Sequence, residues 1–302
     1  MGTFRNKNKI WKNIFIATTV FFMMLSLLLG ALVLVNWDYI SFKVLMTQRY
    51  IHTDILDSLI EEHVGVETKG ELLKYFDNLS ISAVTNMINE TGQDYYTYQY
   101  NPSQFETYTV QREEKSAKSY VEELTPDTVY MLLTNFTQET LEFFKNSSSE
   151  IEGYKNFVLD LRENGGGDIS VILEIADYFI DDNTIMLKEY RRHKTTNIRA
   201  KTERQLFFDN TVILQNGHTA SASEQLITAL TFTVENVTTV GTPTYGKYVG
   251  QTRIGLLRGF YVKATTLEWI APDGTSLNEA GISPDLYYKN DDIIDYVLEN
   301  VL

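Results

Sequence analysis

Hydrophobic and polar positions divide the chain into three stretches of different period. From Asn13 through Trp37 there is no charged residue, and Ile14 to Val35 supplies 22 mostly apolar residues. As a helix that run is roughly 33 Å long, enough to cross a bilayer. Residues 38 to 110 read as mainly helical: Ile55, Leu56, Leu59 and Ile60 recur at i, i+1, i+4 and i+5, and Ala83, Met87 and Ile88 mark a second inward face. Helical periodicity stops at Tyr95 to Pro102, where alternating tyrosines read as a half-buried strand. From Val129 onward, short apolar runs alternate with helical stretches. Strands are expected at Val129 to Leu133, Phe157 to Leu161, Ile185 to Tyr190, Thr211 to Leu214 and Val237 to Val240. Helices are expected from Gln138, over Ile169 to Ile180, and from near Glu224. Gly255 to Thr266 reads as a hairpin. Asp291 to Leu302 reads as a terminal helix with Ile294, Val297, Leu298 and Val301 on one face. Such alternation predicts an α/β core.

Three of the strand ends carry candidate chemistry. After Thr211 to Leu214, the turn Gln215-Asn216-Gly217 leads into Thr219-Ala220-Ser221-Ala222-Ser223-Glu224, which sets Ser221 at a helix N-terminus. Unpaired N–H groups and the positive helix end favour negative charge developing there. Taken alone, Thr219, Ser221 and Ser223 read first as capping residues. After Val237 to Val240, two glycines and a proline in Gly241-Thr242-Pro243-Thr244-Tyr245-Gly246-Lys247 hold one lysine in a tight loop, with Gln251 four residues on. A lysine acting as general base must be neutral near pH 7, so burial has to pull its pKa several units below about 10.4. After Phe157 to Leu161, the triple glycine Gly165-Gly166-Gly167 precedes the helix expected at Ile169, and its N–H groups are candidate oxyanion donors. The spacing of a nucleotide-binding glycine motif is absent.

Together these segments resemble the S41 serine peptidases, that is, the C-terminal processing peptidases and the tricorn-core-like enzymes. The resemblance rests on Asp160-Leu161-Arg162-Glu163-Asn164-Gly165-Gly166, on Thr219 to Glu224, and on Pro243 to Lys247 with Gln251. It extends to Ala271-Pro272-Asp273-Gly274 and to Gly281-Ile282-Ser283-Pro284-Asp285. It implies a ClpP/crotonase-like ββα superhelix core. It also implies Ser221 as nucleophile, Lys247 as general base and Gln251 as the residue orienting it, with an oxyanion hole from the backbone N–H of Ala222 and of Gly166 or Gly167. Lys247 lies one residue farther from Ser221 than the family pattern, which an extra residue within 230 to 236 absorbs. Members with a histidine base take it from the helical lead-in, making His52 or His63 the alternative to Lys247; His218 reads as a solvated turn residue. Asp160 and Glu224 read as loop and helix-cap carboxylates. Only 109 to 128 separates the lead-in from the first core strand, too short for the PDZ domain many members carry.

Composition and charge limit the setting. The chain has 302 residues, no cysteine and four histidines, so disulfides, thiol chemistry and a cysteine metal site are excluded. No cofactor or metal is expected. Arg5, Lys7, Lys9 and Lys12 precede the apolar run, so the positive-inside rule places the N-terminus in the cytoplasm and the rest outside. The net charge is −14, and without those four cations the remainder is near −18. Nucleic-acid binding is disfavoured at such a charge. The expected organisation is a cytoplasmic N-terminus (1–13), a transmembrane anchor (14–35), a helical lead-in (36–110) and a peptidase domain (111–302). The expected function is a membrane-anchored, extracytoplasmic, bacterial serine endopeptidase acting on proteins or peptides. The alternatives are a non-catalytic peptide-binding module and an esterase using the same dyad. Assembly into a homo-oligomer is left open.

Overall fold

The computed structural model describes residues 2–35, 94, 96–100, 102–116, 118–191, 193–255, 261–276 and 280–302. The chain divides into two units, Met1–Gln93 and Asp94–Leu302. In the first, helix α1 spans Gly2–Val35. Its side chains are described from Phe15 to Ala31, a span of about 25 Å. Among the described residues, no helix is long and apolar enough to cross a membrane. Most of the helical lead-in, with Ile55 to Ile60 and Ala83 to Ile88, lies outside the described residues, as do His52 and His63.

The second unit begins with strand β1 (Tyr98–Tyr100), at the tyrosine alternation, and helix α2 (Pro102–Ser116). The hairpin β2 (Tyr120–Thr125) and β3 (Thr128–Leu132) follows, then α3 (Gln138–Ile151), β4 (Asn156–Asp160) and α4 (Ile169–Asp177). A second hairpin, β5 (Ile185–Arg191) and β6 (Lys194–Arg199), precedes β7 (Asn210–Gln215), α5 (Ala222–Thr233) and β8 (Val237–Gly241). Strands β9 (Val249–Gly255) and β10 (Tyr261–Ile270), the short β11 (Leu286–Tyr287) and helix α6 (Ile293–Asn300) complete it. The expected hairpin is thus displaced: Gly255 ends its first arm, which starts at Val249. Strands β2 and β6 were not expected from the pattern.

A six-stranded sheet in the order β11-β8-β7-β4-β3-β2 forms the core. The pairs β3–β4, β4–β7, β7–β8 and β8–β11 are parallel, and β2–β3 is antiparallel. Strands covered on both faces read as continuous apolar runs, which is why β3, β4 and β7 were legible. Alternate residues go to opposite faces. Phe157, Leu159 and Ile213 join Phe144, Ile172, Ile175, Leu226 and Leu230 in the larger cluster, drawn from α3, α4 and α5. Val158, Val212 and Leu214 join Tyr130, Val240, Ile293 and Val297 in a smaller cluster that includes α6. A second, antiparallel sheet runs β1-β10-β5-β6, with β9 on β10. The result is a mixed α/β fold.

The parallel strands β4, β7 and β8 all end on the same edge, at Asp160, Gln215 and Gly241. The three loops that follow are the three motif segments. Ligand sites of such sheets lie outside the carboxyl ends of the strands.

Candidate active site

The loop after β4 is pinned by Asn164, which is fully buried. Its Nδ2 donates to Leu133 O at 2.8 Å, and its Oδ1 accepts the Gly166 N–H at 2.9 Å. Its backbone oxygen accepts Ala220 N–H at 3.0 Å and Ser223 Oγ at 2.8 Å, which ties the glycine loop to the serine loop. Gly166 adopts φ +96, and a Cβ there would lie 2.6 Å from Ala220 O and 2.9 Å from Ser221 Cβ. Only glycine permits that approach.

Ser221 stands at the N-cap of α5 with φ 57 and ψ −121. A non-glycine residue in such a conformation costs about 1–3 kcal/mol and is held by its surroundings. Of the three hydroxyls in this segment, only that of Ser221 is at the cleft. Thr219 Oγ1 donates to Leu161 O at 2.8 Å, Ser223 Oγ to Asn164 O, and both residues are fully buried. They are structural ties and not caps, whereas the capping reading holds for Ser221, which forms a capping box with Glu224 at the start of α5.

Glu224 links the serine and lysine loops. It is 3% exposed. Its Oε2 accepts Ser221 N–H at 2.8 Å and Lys247 N–H at 2.9 Å. Its Oε1 accepts Gly246 N–H at 2.7 Å and Thr244 Oγ1 at 2.6 Å. The helix-cap reading of Glu224 therefore covers one of four bonds. The other three hold the lysine loop, a role that sequence spacing across 23 residues did not reveal. Tyr245 N–H adds a bond to Thr219 O at 3.0 Å. The other motif carboxylate, Asp160, faces away from the cleft and binds Arg162 at 2.6 Å and Tyr130 Oη at 2.7 Å.

Lys247 Nζ donates to Gln251 Oε1 at 2.7 Å, and Gln251 Nε2 donates to the backbone oxygen of Tyr96. The Tyr96 ring lies 4.9 Å from Nζ. Burial pulls the lysine pKa down to about 8; the nearby charge of Lys263 adds to this, and Asp94 and Glu224 oppose it. Nothing local in the tyrosine-rich run marks Tyr96 as a site residue or points 155 residues ahead to Gln251. Asp94 anchors its segment by accepting Tyr96 N–H, Thr97 N–H and Thr265 Oγ1.

Ser221, Ala222, Gly166, Gly167, Lys247 and Gln251 all line one cavity of about 810 Å³. As the first residue of α5, Ala222 has an N–H with no partner within the helix. The bridge between the glycine loop and Phe136 uses Gly166 O and Asp168 N–H, on either side of Gly167. With the Gly166 N–H given to Asn164, Gly167 is the better candidate donor of the two glycines. His218 is exposed in its turn and lines no part of this cavity. Among the described residues, no group of three or more His, Cys, Asp or Glu is placed to hold a metal ion.

A serine at a strained strand-to-helix turn thus shares a cleft with a half-buried lysine of lowered pKa. The model of peptidase family S41 matches residues 127–288, and the chain belongs to that family. The carboxy-terminal processing protease CtpA of Bacillus subtilis is 33% identical over 157 residues, which cover 51% of this chain and 33% of that protein. A carboxy-terminal-processing protease of Bartonella bacilliformis is 30% identical over 167 residues, covering 53% of this chain and 38% of that one. The chain thus spans about a third of the length of these relatives. A lipoprotein from Streptococcus agalactiae shares the fold, with a TM-score of 0.62 at 13% identity over 88% of this chain and 96% of that one.

Proposed function

We propose that the chain is a serine endopeptidase whose dyad is Ser221 and Lys247. The observation that carries this reading is the lysine: half-buried, held by Gln251, with its pKa brought to about 8, and lining the same cavity as Ser221, the one residue of the Thr219, Ser221 and Ser223 set that reaches it. Ser221 Oγ attacks the carbonyl carbon of a peptide bond while Lys247 Nζ takes the hydroxyl proton. The oxyanion is received by the N–H groups of Ala222 and Gly167. As the C–N bond breaks, the lysine returns the proton to the leaving amine. Water, deprotonated by the same lysine, then hydrolyses the acyl ester. The substrate class, proteins or peptides, follows from family membership. The sheet and crossover pattern supports a core of the ClpP/crotonase type.

Ser221→Ala and Lys247→Ala are each expected to lower the turnover of an unfolded protein substrate at least about 10³-fold, with an unchanged far-UV CD spectrum. Residual activity within tenfold of wild type in either variant would remove that residue from the dyad.

The anchored, extracytoplasmic setting is part of the same proposal. It is supported by the uncharged run from Asn13 to Trp37, by the basic residues before it, and by the 34-residue helix α1 whose described apolar side chains are exposed, with Phe15 at 71% and Leu27 at 72%. The full chain should stay in the membrane pellet after alkaline carbonate washing, and its release into the supernatant would sink the anchor.

A further inference from the structure

The hydrogen bonds that hold the lysine amine continue past Gln251. Gln251 Nε2 donates to Tyr96 O, and Tyr96 lies in a turn, Asp94 to Thr97, folded around one carboxylate. Asp94 Oδ1 accepts Tyr96 N–H at 3.0 Å and Thr97 N–H at 3.2 Å, and Oδ2 accepts Thr97 Oγ1 at 2.5 Å. An aspartate that accepts the N–H two residues on closes an Asx-turn and fixes the backbone inside it. Two further bonds tie this turn to β10: Oδ1 accepts Thr265 Oγ1 at 2.9 Å, and Thr97 Oγ1 accepts Thr265 N–H at 2.9 Å. Thr265 is also the residue paired with Gln251 across β9 and β10, and β10 bulges between Thr265 and Leu267. Bulges re-aim the side chains beside them. Asp94 therefore fixes the Tyr96 carbonyl relative to the strand pair that carries Gln251.

The Asp94 carboxyl is held in its acceptor form. Burial opposes ionisation, but the bonds accepted from Thr97, Tyr96 and Thr265 outweigh it and keep the group below its usual range. Around Lys247 stand Lys263 on β10, Glu224 on α5 and Asp94 in the turn, with the Tyr96 ring 4.9 Å from Nζ. Glu224 reaches the lysine through its backbone N–H. Asp94 reaches the amine itself, through Tyr96 and Gln251.

We propose that Asp94 is a positioning residue for the reaction: through its turn it holds Tyr96 O where Gln251 can steady Lys247 Nζ. The proposal rests on the Ser221–Lys247 reading above and adds the part of the chain that aims the base. A turn that served only to tie β1 to β10 would contribute stability and leave the amine as it was.

Two variants loosen the turn, Asp94→Ala with loss of charge and Thr97→Val without it. In the full chain carrying isotope-labelled lysine, the amine is followed by NMR titration of the Lys247 Cε signal, with a wild-type midpoint near 8. That midpoint should fall in both variants, because an amine released from Gln251 loses the acceptor that favours its charged form. In cleavage of an unfolded protein, Asp94→Ala should lower kcat about tenfold with KM within about threefold of wild type. Asp94→Asn, which keeps the acceptor Oδ1, should recover most of that loss. On a Gln251→Leu background, Asp94→Ala should cost less than about twofold more, since a residue acting through Gln251 has nothing left to act on. If Asp94→Ala does not fold, Thr97→Val and its combination with Gln251→Leu carry the same test. A midpoint unmoved in Thr97→Val, or a full additional loss in the double variant, would overturn the proposal and leave the dyad intact. If wild type cleaves nothing while the midpoint falls in Thr97→Val, the positioning role stands and the peptidase reading falls.

Discussion

The serine side and the lysine side of the cleft are held by different means. Ser221 is placed by the carboxyl edge of the parallel sheet: its loop is bonded through main-chain groups to the glycine loop, and buried Asn164, Thr219, Ser223 and Glu224 close the remaining gaps. The lysine backbone belongs to that same assembly through Glu224. Its amine does not. Nζ reaches the antiparallel sheet, where Gln251 sits on β9 opposite Thr265, and the segment leading into β1, where Tyr96 receives the other end of the Gln251 amide. Position is thus set by a rigid network of backbone bonds, while proton affinity is set by a few side chains from another sheet. Damage to the first should cost fold and activity together. Damage to the second should change rate and pH dependence with little loss of fold.

The largest effect is expected from Glu224→Gln. All four groups around this carboxylate donate to it, which suits an ionised acid with acceptor sites only. An amide of the same shape turns an NH₂ toward two of those donors. Leaving them unanswered in the interior should destabilise the protein by about 3 kcal/mol, read by urea denaturation, and remove activity with it. A variant of wild-type stability would mean that the two loops are held together by something other than Glu224.

The contrast between the two sides also explains which parts were legible. Runs such as Phe157 to Leu161 and Thr211 to Leu214 are buried on both faces, so their pattern is continuous and the strands follow from composition alone. The glycine, serine and lysine loops were legible because tight turns and helix starts constrain residue type locally. Strand β6 is exposed at five of its six positions and β2 lies at a sheet edge; their pairing comes from the neighbouring strand and not from their own residues. The hairpin was misplaced for a related reason: Val249 to Gly255 carries Gln251 and Arg253 into the cleft and does not show an apolar run. Contacts such as Tyr96 with Lys247 join distant segments through a chain reversal that no local pattern encodes.

A smaller and more diagnostic effect is expected from Gln251→Leu. For the wild type, only neutral Lys247 can accept the Ser221 proton, so kcat/KM should rise about tenfold per pH unit on the acid side and level off above about 8. The Gln251 carbonyl does two things to the amine: it orients Nζ, and as an acceptor it favours the charged form. Replacing it with an apolar side chain removes both. The plateau rate should fall about tenfold through lost orientation, whereas the midpoint should move below 8, because the ammonium loses its acceptor while desolvation persists. A purely structural role for Gln251 would lower the plateau without moving the midpoint. An upward shift would show water entering the site, and with it that the lysine side depends on Gln251 for its packing and not for its proton chemistry.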